Sequence, residues 1–244
     1  TKITIQMNIL SMAFVILFQP VSAKRRIKLL KKKEISLKCI EGELNVTFHK
    51  KYFGDNIINP IILKGASIQR YYYTLQMSQG QIDYLDEAQY LLDCGTSEKS
   101  SHHHYDRIAM QGMTGANDKI RLIMTIVPKG CYLANSCNYI LPSNMMDLYC
   151  LLGFLNSKTI NWFFRCFSTN SNVNGYEVDN LPIIVAQDDK KEQLKNIVKS
   201  LLNGSTEHSE DELNAVVYEI YGLTKEEIAE LGKKAKFLGK KIFA

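Results

Sequence analysis

The last quarter of the chain carries the most regular alternation of apolar and polar positions. Apolar residues recur at helical spacing, followed by a glycine where a helix cap is expected: Leu194, Ile197, Val198, Leu201, Leu202 and then Gly204. Ser209 with Glu212, and Thr224 with Glu227, each fit a capping box, in which the hydroxyl and the carboxylate satisfy exposed amides of the first helical turn. Three amphipathic helices are therefore predicted to close the chain.

A second long apolar segment precedes these helices. Residues Met145 to Phe167 lack proline and place leucines and Trp162 at helical spacing, which predicts one buried helix. A polar stretch rich in serine and asparagine follows at 168–175 and is most simply a loop, although its hydroxyls and amides also suit contacts in a DNA groove.

The rest of the chain favours short strands. Between 40 and 75, β-branched and aromatic stretches are interrupted by turn residues, and a short helix is predicted from Ile82 to Leu92, ended by Gly95. Leu122–Val127 and Cys131–Leu133 flank Pro128-Lys129-Gly130, which predicts a hairpin. The expected fold class is α+β: a mixed β-sheet domain with a buried central helix over 1–186, then a helical segment over 187–244.

The N-terminal apolar run is ambiguous. Residues 7–18 are too few to span a bilayer, which takes about 20 residues in a helix, yet with Val21-Ser22-Ala23 they imitate a signal peptide. The β-forming residues in the run favour a buried strand with a turn at Gln19-Pro20. Because the chain begins at Thr1, we expect a fragment of a longer reading frame or a processed product.

Composition and charge restrict the classes of protein to which this chain can belong. Hydrophobic residues make up 45% of the chain and charged residues 23%, which is typical of a globular protein and not of a disordered one. The net charge is +5, and eight of the fifteen residues in 24–38 are Lys or Arg. Such a run is often only a solvated face, but it can also bind phosphates, with Lys31 and Lys32 as candidates. Six cysteines without a CxxC pair predict reduced thiols in a cytoplasmic protein.

Three separated stretches resemble the TaqI-like C-terminal specificity domain of type II restriction-modification enzymes and adenine-specific DNA methyltransferases. The first, Leu63 to Tyr71, is similar to "LKGxxIxRY", with Ser67 where aspartate is usual. The second runs from Leu151 to Lys158 and on to Leu181-Pro182-Ile183, and the third covers Val216 to Ile228. The resemblance covers about residues 55–230. It implies a DNA target-recognition module placed across double-stranded DNA from a methyltransferase domain, in cis or in trans.

The resemblance and side-chain chemistry together give a set of candidate DNA-binding residues. Arginine pairs with guanine and asparagine or glutamine with adenine through two hydrogen bonds, lysine suits phosphates, and tyrosine can stack on bases. For each residue an ordinary structural or surface role is the alternative. The candidates are Lys31, Lys32, Lys64, Arg70, Tyr71, Arg107, Gln111, Asn117, Arg121, Asn170 and Asn172.

Catalytic elements are missing from the sequence. An adenine methyltransferase needs an Asn/Asp-Pro-Pro-Tyr/Phe element, whereas the only Asn-Pro here is Asn59-Pro60-Ile61. No acidic pair followed by Glu-x-Lys indicates a metal-dependent nuclease, and His102 to His104 favour a polar loop over a metal site. We therefore expect no catalysis in this chain, with S-adenosylmethionine and Mg²⁺ bound only by other domains.

The leading expectation is thus non-catalytic, sequence-specific recognition of DNA. Two alternatives remain open at this point: a free-standing specificity subunit like those of type I systems, and a secreted or membrane-surface basic protein resting on residues 7–33. The first alternative usually carries two recognition units, and the length of this chain suits one. Under the leading expectation the protein is cytoplasmic and has no membrane partner.

Overall fold

The computed structural model describes residues 33–76 and 82–231. Eight strands form two four-stranded sheets, and the helices follow mainly in the C-terminal half, so the expected α+β class is confirmed. The strands are β1 (Cys39–Glu41), β2 (Phe53–Gly54), β3 (Ile61–Leu63), β4 (Asp83–Leu85), β5 (Arg107–Gln111), β6 (Met124–Val127), β7 (Tyr132–Leu133) and β8 (Cys137–Ile140).

The first sheet has the order β1-β8-β5-β6 with every pair antiparallel, and the second has the order β2-β4-β3-β7 with β3 and β7 parallel. The predicted hairpin across Pro128-Lys129-Gly130 is wrong. The turn exists, with Gly130 at φ +88°, but it leads from β6 in the first sheet to β7 in the second. There Tyr132 and Leu133 are fully buried, and β7 pairs with β3 rather than with β6.

The helices are α1 (Glu87–Cys94), α2 (Leu148–Asn156), α3 (Lys158–Arg165), α4 (Gly175–Asp179), α5 (Asp188–Leu202), α6 (Glu210–Tyr221) and α7 (Lys225–Leu231). The helix predicted from Ile82 is shorter than expected, because residues 83–85 pair as β4 and Asp86 caps α1 by accepting a hydrogen bond from the Gln89 amide. Gly95 ends that helix, as predicted.

The single buried helix predicted over Met145–Phe167 is two helices. Ser157 between α2 and α3 is extended, with ψ 153°. Its amide donates to the carbonyl of Phe154, and its hydroxyl oxygen accepts from the amide of Ile160, so one residue closes α2 and opens α3. The burial of the segment is confirmed, since nearly every side chain from Cys150 to Phe164 is inaccessible to solvent.

The three C-terminal helices occur where their pattern predicts. Both capping boxes are formed: Ser209 accepts from the Glu212 amide at 3.3 Å, and Thr224 accepts from the Glu227 amide at 3.3 Å. Gly204 has φ +66°, the left-handed conformation expected after a helix end.

The main core joins the first sheet to α2, α3, α5 and α6. Gly153 of α2 lets α5 approach closely, because a Cβ there would lie 2.9 Å from the Leu194 side chain. A smaller cluster, including Tyr52, Tyr90 and Tyr132, lies under the second sheet. All six cysteines are free thiols, as predicted. The division of the chain at residue 186 stays a prediction.

Two sequence-based expectations lie outside the described residues: the apolar run 7–18 with its turn at Gln19-Pro20, and the candidate phosphate contacts Lys31 and Lys32. Within 33–76 and 82–231, no helix is long and apolar enough to cross a bilayer.

Candidate nucleic-acid interface

Two loops that are distant in sequence lie side by side on one face of the protein. The amide of Thr114 donates to the carbonyl of Ser171 at 2.8 Å, and the amide of Val173 donates to the carbonyl of Gly112 at 3.0 Å. Met113 and Asn172 form an antiparallel bridge between these bonds. We call residues 112–120 and 169–174 the paired loops.

Arg121 joins the two loops from beneath. Its Nε donates to Thr114 Oγ1 at 2.8 Å, and its Nη2 donates to the carbonyl of Asn170 at 2.7 Å. The side chain is fully buried, and the guanidinium lies over the Phe164 ring at 5.3 Å. Burial lowers the pKa of Arg121, while the nearby carboxylate of Glu177 opposes that shift.

Two further buried side chains fix the bases of the loops. Asn161 of α3 accepts from the amides of Arg121 and Leu122 through Oδ1 and donates to the carbonyl of Lys119 through Nδ2. Glu177 of α4 accepts from both the amide and the side chain of Asn174. Because three buried polar groups hold the loop backbones, the paired loops present a preorganised surface.

The outer side of the paired loops is mostly neutral and polar. Asn117, Asn170 and Asn172 are all exposed, and the side chains of Asn117 and Asn172 make no hydrogen bond to any other residue in the described part of the chain. Met113 is 66% exposed, and Lys119 supplies a positive charge. Free amide groups both donate and accept hydrogen bonds, so this surface can match the edge of a base pair.

The Lys64–Gly65 element adjoins the paired loops through Ser136. The amide of Gly65 donates to Ser136 Oγ at 2.9 Å, and the amide of Gly112 donates to the Ser136 carbonyl at 2.8 Å. A Cβ on Gly65 would lie 2.6 Å from that carbonyl oxygen, so the close approach requires glycine. Lys64 Nζ pairs with Asp83 at 2.5 Å and stays partly exposed. No pattern in the sequence indicates this role of Ser136.

Arg70, Tyr71 and Gln111 hold one segment of chain against the first sheet. The Arg70 guanidinium makes two hydrogen bonds to the Glu210 carboxylate and one to the carbonyl of Asn156 at 2.8 Å. Tyr71 is buried, has φ 66°, and donates its amide to the carbonyl of Met124. Gln111 Nε2 donates to the carbonyl of Ile68 at 2.7 Å. Each candidate therefore has a structural partner in this conformation.

Arg107 lies inside the protein between the two sheets. Its side chain and that of Glu43 are both fully buried and form an ion pair, and Nη2 also donates to the carbonyl of Cys131 at 2.8 Å. Glu43 in turn accepts from the amide of Leu133. Since a fully buried guanidinium cannot touch a base, we assign Arg107 and Arg121 structural roles and leave both out of the interface.

The three consecutive histidines do not lie in a polar loop. They end a 3₁₀ helix (Glu98–His104), in which His102 and His103 are buried. His102 Nδ1 is 2.6 Å from the hydroxyl of Tyr139, and the His103 ring stacks on Tyr132 with 4.5 Å between ring centroids. No group of three or more potential metal ligands occurs among the described residues.

A solved structure shares this arrangement of sheets and helices. It is the type IIL restriction-modification enzyme MmeI in complex with DNA, with a TM-score of 0.53 and 12% sequence identity. The chain has the fold of part of a restriction-modification enzyme. The match covers 81% of this chain and 34% of MmeI, so the chain corresponds to about a third of that enzyme. No protein-family model matches the chain, and no curated protein matches it in sequence.

Proposed function

We propose that this chain is the DNA target-recognition module of a restriction-modification enzyme. The observation that carries the proposal is the pair of preorganised loops with exposed, unpaired amides at Asn117 and Asn172. The resemblance of three stretches of sequence to TaqI-like specificity domains supports it. So does the likeness in fold to MmeI, which was solved with DNA.

The chemistry of the loops suits sequence-specific contact with double-stranded DNA. An asparagine side chain pairs with adenine N6 and N7 through two hydrogen bonds in the major groove. In this proposal Lys119 within the loops, and Lys64 beside them after exchanging its partner Asp83, contact phosphates, which position a protein on DNA without carrying sequence information. Asn117, Asn172 and Asn170 are therefore the proposed base-contacting residues, with Lys64 and Lys119 as phosphate contacts.

Catalysis belongs to other domains in this proposal. The sequence has no element for holding a flipped adenine, so a methyltransferase domain, in cis or in trans, would bind S-adenosylmethionine and methylate the site. An endonuclease, if one belongs to the same enzyme, would supply the Mg²⁺ site. This chain would fix where on the DNA those domains act.

The test begins by selecting preferred duplexes from a randomised pool with the full chain. Asn117→Ala and Asn172→Ala are then compared on the selected duplex and on unrelated DNA. If an asparagine contacts a base edge, its loss should weaken binding to the selected duplex by about 5- to 150-fold, from ~1–3 kcal/mol per bidentate contact, with much less effect on unrelated DNA.

Asn144→Ala is the matched control, because Asn144 is also an exposed asparagine but lies in the turn before α2. It should leave both affinities unchanged. Equal weakening of the selected and unrelated duplexes by Asn117→Ala and Asn172→Ala would show that these residues do not read sequence. Failure to enrich any duplex would contradict the proposed function itself.

A further inference from the structure

A cavity of about 460 Å³ lies at the free edge of the first sheet, beside Tyr71. Four tyrosines line it, together with two residues from the end of α5: Tyr71, Tyr72, Tyr73, Tyr149, Lys199 and Asn203. Tyr72 is 58% exposed. We call this space the edge pocket. Its volume falls in the range of about 300–1,000 Å³ that is typical of small-molecule sites.

The sheet contributes an unused hydrogen-bonding pair to the edge pocket. β6 ends its sheet, and its register pairs Thr125 with Ala109 and Val127 with Arg107 on β5. The amide of Gln111 donates to the carbonyl of Ile123, the residue just before β6. Because hydrogen-bonded residues alternate along an antiparallel pair, Thr125 and Val127 are the residues of β6 that bond to β5. The amide and carbonyl of Ile126 therefore point away from β5, toward the edge pocket that Ile126 lines.

The backbone of Met124, two residues earlier on β6, points the same way, and its carbonyl already has hydrogen-bond partners. The carbonyl of Met124 accepts from the amide of Tyr71 at 3.1 Å and from Asn156 Nδ2 at 3.0 Å. Neither backbone group of Ile126 bonds to a residue within 33–76 or 82–231. A free backbone donor and acceptor thus belong to a residue that lines the same cavity as the tyrosines.

Thr125 adds an independent observation. The residue is fully buried and lines the edge pocket, yet its hydroxyl has no hydrogen-bond partner in the described part of the chain. Buried hydroxyls nearly always have a partner, because an unsatisfied one loses its bonds to water without replacement.

Lys199 places a cation at the same site. It is exposed in the last turn of α5, and its ammonium lies 5.3 Å from the centre of the Tyr149 ring. Asp106 also lines the edge pocket, and one of its carboxylate oxygens is engaged by the amide of Lys129 at 2.8 Å. The edge pocket therefore combines tyrosines, a backbone donor–acceptor pair, one positive charge and the partly engaged carboxylate of Asp106.

We propose that the edge pocket binds a single nucleobase carrying a phosphate. Tyrosine rings stack on any base, and every base presents a neighbouring donor and acceptor that complement the amide and carbonyl of Ile126. Lys199 then faces the phosphate. The ligand is either a free mononucleotide or an unpaired nucleotide of a strand, which share this chemistry. The proposal does not depend on the recognition of duplex DNA by the paired loops.

The test titrates the full chain with AMP, CMP, adenosine and inorganic phosphate by calorimetry and ligand-observed NMR. The nucleotides should bind, and inorganic phosphate alone should not. Tyr149→Ala should weaken AMP binding by about tenfold or more, as expected for the loss of a stacking ring. Lys199→Gln should weaken AMP but leave adenosine unchanged, because adenosine lacks the phosphate.

Thr125→Val and Thr159→Val form a matched pair. Both threonines are fully buried with hydroxyls that lack partners among the described residues, but only Thr125 lines the edge pocket. Neither substitution should lower the melting temperature, since no hydrogen bond is lost. Thr125→Val should weaken nucleotide binding several-fold, and Thr159→Val should not change it.

A short single-stranded oligonucleotide distinguishes the two sources. Tighter binding of the oligonucleotide than of AMP would support an unpaired nucleotide as the ligand, and tighter binding of AMP would support a free one. Equal binding of AMP and inorganic phosphate, or no binding of any nucleotide or oligonucleotide, would overturn the proposal. Binding of duplex DNA by Tyr149→Ala is measured in parallel. Because that binding reports on the paired loops, failure of the edge-pocket proposal can be distinguished from failure of the proposed function.

Discussion

Among single residues, Arg107 shows most clearly how burial changes the role of a charged side chain. Arg107 and Glu43 are both fully buried, and burial raises the pKa of Glu43 even with the guanidinium beside it. Because each charge is desolvated, either one would destabilise the protein if it lost its partner.

Replacing Arg107 by Met should therefore lower the free energy of unfolding by about 3–5 kcal/mol, since the buried Glu43 carboxylate loses its partner. The exposed pair Lys158–Asp211, with 2.7 Å between Nζ and Oδ1, provides the control. Lys158→Met should cost less than about 1 kcal/mol. Urea denaturation of both variants measures the difference, and equal losses would contradict the structural role of Arg107.

The buried histidines predict a loss of stability in mild acid. Burial lowers the pKa of His102 and of His103 below the usual 6.5, so both rings are harder to protonate in the folded protein than in the unfolded chain. Below about pH 6.5 these two histidines bind more protons in the unfolded chain than in the folded one, so their contribution to the free energy of unfolding decreases as the pH is lowered. Above that pH the contribution of the two histidines to the free energy of unfolding should be fully retained.

The corresponding measurement is a series of melting curves between pH 7.5 and 5.5. His103→Phe keeps an aromatic ring to stack on Tyr132 but cannot be protonated, so its melting temperature should fall less than that of the wild type over this range. The difference between the two series removes the contribution of groups common to both proteins. Parallel curves would show that His103 does not contribute.

At the level of elements, Ser157 decides that two helices form where the apolar pattern predicts one. Its hydroxyl donates to the carbonyl of Phe154 at 2.7 Å and accepts from the amide of Ile160 at 3.3 Å. Ser157→Ala should destabilise the protein by about 1 kcal/mol, as expected for a lost N-cap.

Ser97 gives a control for that substitution, because it precedes a 3₁₀ helix without making a side-chain cap bond. Ser97→Ala should leave the midpoint of chemical denaturation nearly unchanged. If Ser157→Ala also has no effect, the break between α2 and α3 does not depend on the cap and must be imposed by packing alone.

For the whole molecule, the proposed role predicts a steep dependence of DNA binding on salt. If the basic run at 24–33 and the flanking arginines neutralise about five phosphates, the binding constant should fall roughly 500-fold between 50 and 200 mM salt, from a log–log slope of about −0.9 per contact. Lys31→Ala with Lys32→Ala should weaken all duplexes alike and flatten the slope by up to about one unit per contact. A flat response in the unmodified chain would argue against DNA binding.

The candidate site could be predicted only in part, because side-chain chemistry does not reveal burial. Asn117, Asn170 and Asn172 are exposed in the paired loops, and their contact with DNA stays a prediction. Arg70 and Arg107 have the residue type that binds guanine, but each forms an ion pair with a carboxylate far away in sequence, Glu210 and Glu43 respectively. No local pattern indicates such a partner.

The sequence by itself determined the elements whose stability is local. Helical periodicity, the capping boxes at Ser209 and Thr224, and Gly204 specify the C-terminal helices, because every interaction involved lies within a few residues. Tertiary structure alone decided that β7 pairs with β3 rather than with β6, and that residues 112–120 lie beside residues 169–174. These outcomes depend on which distant groups can bury apolar area and satisfy each other's hydrogen bonds, and that information is not carried by any short stretch of chain.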